Sequence, residues 1–150
     1  MIKNKLLMAA AAAGLALAVP QVATAQSAWP IVNGDFVEVG MIKVDDGHAL
    51  DYANFLATTW RKSSDFSKAQ GWITNYQIWY NINPRDGEGN IYLVTWFPKM
   101  ATPAEDDARE AAYSKHMAMT EAEMQAASGK RAEYRKNVGS MLFREQNFRK

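Results

Sequence analysis

The sequence predicts an α+β domain in which the elements follow the order strand, helix, strand, strand, helix, strand. Three observations predict it. Residues 72–82 and 90–97 are dense in aromatic and β-branched side chains, and they flank the polar turn formers of 83–89. Apolar residues recur at helical spacing across 48–62, and Thr102-Pro103-Ala104-Glu105 opens a second helix. Alternating segments at 36–44 and 140–148 supply a strand at either end.

Each element has a local cause. Trp29 to Asp35 reads as a lead-in segment, with Pro30 and a turn-like Asn33-Gly34. In the strand 36–44, Val37, Val39 and Met41 fall on one face and Phe36, Ile42 and Val44 on the other. Asp45-Asp46-Gly47 breaks it and offers a cap to the following helix. That helix, 48–62, carries Leu50, Ala53, Ala57 and Trp60 as a stripe flanked by Tyr52, Phe55 and Leu56. Gln70-Gly71 ends the connection to the hairpin, and Pro98 closes its second strand. The helix opened at Thr102 runs to about Met117, because Pro at the first helical position loses no bond and Glu105 completes the box. Thr120-Glu121-Ala122-Glu123 repeats the capping pattern and restarts a helix towards Ala127. Gly129 separates a further helical piece reaching Asn137. Residues 140–148 are expected to be a strand, although a helical tail is an open alternative. This βαββαβ order is that of a ferredoxin-like sandwich, an antiparallel sheet with helices on one face.

The first twenty-five residues predict export. Lys3 and Lys5 precede an uncharged apolar run, Leu6 to Val19, and Ala23-Thr24-Ala25 is a small-x-small cleavage site before Gln26. The run is shorter than the roughly 20 apolar residues of a membrane span, and no Cys follows it to carry a lipid anchor. Residues 1–25 are therefore read as a signal peptide and 26–150 as a single domain, periplasmic or extracellular and without a membrane anchor. The full chain has 17 basic and 16 acidic residues, and losing Lys3 and Lys5 leaves it near neutral. Such a chain has no field to steer it onto nucleic acid. The lack of Cys removes thiol chemistry and disulfides.

A solvated sheet face should be polar, yet neither face of the hairpin is. Trp72, Tyr76, Ile78 and Tyr80 point one way and Ile73 and Trp79 the other; Tyr92, Val94 and Trp96 oppose Ile91, Leu93 and Phe97. Each large aromatic can bury roughly 150–250 Å², so a face carrying three exceeds the usual exposed patch of a monomer. A second copy of the sheet is the economical cover. With this element order, and with the strand Met41-Ile42-Lys43-Val44 followed by Asp46-Gly47-His48, the chain resembles the dimeric α+β barrel superfamily. Within it, the chain is similar to small exported bacterial proteins of unassigned activity. The resemblance implies a homodimer. It also admits an enzyme of the cofactor-independent monooxygenase type acting on an aromatic substrate, with Asn75, Trp96 and His116 as counterparts of the Asn, Trp and His such enzymes use.

The residues themselves offer little chemistry. His48 opens a helix as a surface residue, and His116, among Tyr113, Met117 and Met119, is the one candidate general base or haem ligand. No second ligand stands at metal spacing, and no cofactor motif is present: Gly87-Glu88-Gly89 is a turn. Trp60, Tyr76, Trp79, Tyr92, Trp96 and His116 are the candidate lining of a site for a flat apolar ligand, competing with a role as core and dimer seam. Asp45-Asp46 and Glu105-Asp106-Asp107 suit helix starts, Met100, Met117, Met119 and Met124 fill gaps, and Lys130, Arg131, Arg135 and Lys136 read as a solvated helix face.

Overall fold

Two long strands dominate the molecule. In the computed structural model, which describes residues 28–149, β1 (Ile31–Val44) pairs antiparallel along its length with β4 (Arg135–Phe148). The other edge of β1 pairs with β3 (Ile91–Phe97), and β3 pairs with β2 (Asn75–Tyr80). The sheet order is β2-β3-β1-β4, antiparallel at every step. Helices α1 (Ala49–Phe55), α2 (Arg61–Ala69), α3 (Pro103–Met117) and α4 (Glu121–Arg131) complete the ferredoxin-like α+β sandwich. Residues 1–25, read from the sequence as an export signal, lie outside the described residues.

Strand parity decides the core. Ile42 and Val44 meet Tyr52 and Leu56, with Phe55, Trp60, Ile91, Leu93 and Tyr134 packed around them. That is the helix-covered face. Val37, Val39 and Val94 form a second cluster with Tyr92 and Trp96, and it lies on the opposite face.

Five expectations need correction. Asn33-Gly34 is not a turn but part of β1, because β4 extends the ladder out to Ile31↔Phe148; only a register irregularity between Asn33 and Phe36 marks the pair. The first helix does not stop at Lys62. It continues through a π-helical turn, Leu56–Trp60, into α2. Its buried side is Tyr52 and Leu56, whereas Leu50 is 72% exposed. The supposed helical piece after Gly129 does not exist: α4 passes through Gly129 to Arg131 and the chain turns into β4 at Arg135. Pairing of Arg135, Lys136 and Asn137 with Val44, Lys43 and Ile42 outweighs their helical pattern. For the same reason the tail is a strand, and the helical alternative falls. β2 is also shorter than predicted, leaving Trp72 and Ile82 outside the ladder.

Both capping boxes form as the sequence predicts. Thr102 accepts from the Glu105 N–H and Glu105 returns a bond to the Thr102 N–H; Thr120 and Glu123 repeat it. Lys99 also donates to Glu105 at 2.5 Å, and this bond, ahead of the Thr102 N–H, pulls the Glu105 carboxyl down to about 2. A depressed carboxyl stabilises the fold above its unfolded value and loses that contribution as pH falls through the folded one. The Glu105→Gln variant should therefore match the wild type in thermal stability near pH 2 and fall below it from pH 5 upward, read by melting curves across that range.

Helix α3 ends on Ala118 in the left-handed region, at φ 54° and ψ 41°. That conformation costs an L-residue about 1 kcal/mol and glycine almost nothing. Ala118→Gly should raise stability by roughly 0.5–1 kcal/mol in denaturant titration.

Candidate functional site

The sheet face away from the helices carries the concentration of unexplained side chains. Cross-strand register puts Val37, Trp96 and Phe143 in one row and Val39, Val94 and Met141 in the next. Met41, Tyr92 and Trp79 form a third row. Val94 at the centre is completely buried, yet Trp79, Met141 and Phe143 around it remain 46%, 41% and 49% exposed. Trp79 and Trp96 meet edge to face with centroids 6.2 Å apart.

A shallow hollow of about 420 Å³ opens here, lined by Val39, Trp79, Tyr80, Asn81, Tyr92, Met141 and Phe143. Its polar groups are few and placed. The Asn81 amide lies 3.4 Å from the Tyr92 hydroxyl and donates also to the Gly89 carbonyl at 3.3 Å. On the same face, the Trp96 indole donates to Glu145 at 3.0 Å and the Trp79 indole to Gln77 at 2.8 Å. An apolar wall with one amide and one hydroxyl is the composition of a site for a small, mostly apolar molecule.

The six predicted lining residues do not share one cavity. Trp79, Tyr92 and Trp96 lie on the open face. Trp60 and Tyr76 lie on the helix side, edge to face at 5.2 Å, with the Tyr76 hydroxyl donating to Asp65 at 2.5 Å; that bond holds the phenol above its ordinary range. His116 stacks on Phe66 at 4.0 Å, on the α2–α3 side of the molecule. Asn75 and Trp96 are cross-strand partners on the open face, so His116 is not brought together with them. Met141 and Phe143 complete the open face and were missed as site residues. Their signal was parity with Val39 and Val37, legible only once β4 is known to pair with β1.

His48 is exposed and shares a 2.9 Å contact with Asp51 while stacking on Tyr134 at 5.1 Å. Among the described residues no group of three or more His, Cys, Asp or Glu could hold a metal ion. No helix among them is long and apolar enough to cross a membrane.

No family model matches the chain, and no curated relative matches it. Among solved structures it is similar to a dimeric protein of unknown function and ferredoxin-like fold from Bacteroides fragilis NCTC 9343. The two are 17% identical with a TM-score of 0.38, over 77% of this chain and 96% of that one.

Proposed function

We propose that the chain works outside the cytoplasm as a homodimer, its two open sheet faces closing over a small apolar or aromatic ligand. The observation that carries this reading is the ring of Trp79, Met141 and Phe143, nearly half exposed, around a buried valine centre and a hollow of about 420 Å³. A stable interface needs roughly 800 Å² from each partner; these half-exposed side chains supply roughly 200–400 Å² of it at its centre, and the rest of the open face must supply the remainder. A two-fold axis through the face sets each protomer's hollow against the same surface of its partner. Asn81 and Tyr92 then orient the ligand's polar group, and the rings cover its flat body. Lys3, Lys5, the apolar run and Ala23-Thr24-Ala25 support export.

Sedimentation of the mature chain, residues 26–150, combined with titration of a naphthalene-based fluorescent probe, tests the reading. A dimer that binds the probe saturably and loses the signal with Trp79→Ala is the expected result. A monomer at every accessible concentration overturns it. A dimer without saturable binding removes the ligand and leaves a purely self-associating face.

A further inference from the structure

The helix layer holds a second hollow, about 110 Å³, that no strand residue lines. We propose that it is a binding site for a small carboxylate carried on an apolar or aromatic body, with Arg131 as the recognising group. This inference is independent of the sheet-face reading.

Arg131 is not on a solvated face. Its guanidinium lies over the Phe55 ring at 4.0 Å, and its Nε is buried with no hydrogen-bond partner. Stacking uses the flat side of the guanidinium and burial shuts off Nε, which leaves the two Nη nitrogens to grip a carboxylate end-on. A buried, unsatisfied donor of a charged group is costly and calls for an explanation. The neighbouring cation makes the need sharper. Arg135 donates Nη2 to Ser128 at 3.1 Å and leaves its own Nε buried without a partner. Neither arginine has an acidic partner within ion-pair distance among the described residues. Burial first, and then Arg135, weigh against the positive form of Arg131. An anion in the hollow would offset the charge of Arg131.

The walls select what carries the anion. Trp60, Tyr113, Met117 and Met124 line the hollow with Arg131. Aromatic rings and adaptable methionines accept a ring or a short aliphatic chain, and they offer little to a hydrated inorganic ion. The volume is that of about four waters at roughly 30 Å³ each, enough for one ring. Thr59 and Trp60 reach this wall from the π-helical turn Leu56–Trp60, a local irregularity that recurs where helices line functional sites.

The test is an NMR titration of the mature chain with benzoate, alongside benzamide and inorganic phosphate. Benzoate is expected to shift the signals of Trp60, Tyr113 and the Arg131 side chain saturably. Benzamide and phosphate should bind about 10- to 100-fold more weakly, the worth of a charge-assisted hydrogen bond in one case and of the apolar body in the other. Arg131→Met keeps the stem over Phe55 and should lose the same factor, with partial return in Arg131→Lys. Should Arg131→Met not fold, Ala127→Phe, which fills the hollow and leaves Arg131 in place, must abolish the shifts. Three results overturn the proposal: no saturable shift with benzoate, shifts confined to the open sheet face around Trp79, or phosphate binding as tightly as benzoate.

Discussion

Phe143→Glu is expected to leave each protomer folded and to abolish the dimer. Phe143 is 49% exposed on the open face, opposite Val37 in the ladder. Covering the rest of such a ring is worth about 1 kcal/mol, half the yield of a fully buried large side chain. A two-fold axis doubles every change, and a carboxylate in an apolar seam adds a desolvation cost of several kcal/mol. Self-association should weaken at least roughly 100-fold, turning the sedimentation profile monomeric at concentrations where the wild type is expected to be dimeric. Leu142→Glu is the parity control. Leu142 is similarly exposed, at 52%, on the same strand, but its partner Glu38 puts it on the other face, so this variant should stay dimeric. Loss of the dimer in both variants, or in neither, would remove the open face as the seam. Unaltered circular dichroism of Phe143→Glu separates dissociation from unfolding.

Much of this architecture was legible because its causes are local. Thr102-Pro103-Ala104-Glu105 and Thr120-Glu121-Ala122-Glu123 each place a hydroxyl and a carboxylate three residues apart, and both boxes form with the reciprocal bonds that the spacing requires. The opposition of Trp79 to Ile78 and of Tyr92 to Leu93 likewise follows from the two-residue period of a strand. What was not legible depends on partners distant in sequence. Nothing local extends β1 back to Ile31; that requires Phe148, more than a hundred residues away. Tyr52 and Leu56, four apart, form the buried side of a helix whose more regular apolar stripe, from Leu50 to Trp60, starts in solvent. The π-helical turn at Leu56–Trp60 rotates the chain beyond it, an effect that a period of 3.6 residues does not anticipate. The candidate site divided for a local reason: strand parity already set Tyr76 against Trp79, and grouping by aromatic composition overrode it. Aromatic composition places Trp60, Tyr76 and Trp79 in one set, whereas the sheet separates the first two from the third. Arg131 and Arg135 show the converse: a charged run resembles a solvated face until the fold stacks Arg131 on Phe55 and buries both Nε atoms.

Asn90→Ala should cost about 2–4 kcal/mol of folding stability, because one side chain satisfies two backbone groups at once. The Asn90 Oδ1 accepts from the Val44 N–H at 2.9 Å, and its Nδ2 donates to the Val44 carbonyl at 2.9 Å. The Asn90 N–H meanwhile donates to the Ile42 carbonyl at 3.0 Å. The amide thus extends the β1–β3 ladder two residues past its last backbone pair, Ile42↔Ile91. Removing it strands both Val44 groups in a partly buried place, which for a domain of this size lowers the melting temperature by roughly 8–15 °C. Asn90→Asp discriminates between the two bonds. It keeps the acceptor for the Val44 N–H but sets a carboxylate against the Val44 carbonyl, so the ionised form is disfavoured in the fold and the carboxyl pKa rises. A raised pKa gives stability that is present at low pH and lost as pH climbs through it; Asn90→Asp should therefore melt closest to the wild type in acid, whereas Asn90→Ala should show no such recovery. The preceding residue is fixed by the same junction. A Cβ on Gly89 would stand 2.8 Å from the Ile42 carbonyl oxygen and 3.0 Å from its nitrogen, both backbone atoms held in the ladder. Gly89→Ala is expected to cost about 1–3 kcal/mol by overpacking, and because both changes act on one contact, the double variant should lose less than the sum of the two. Strict additivity would mean that Gly89 and Asn90 hold the hairpin to β1 independently.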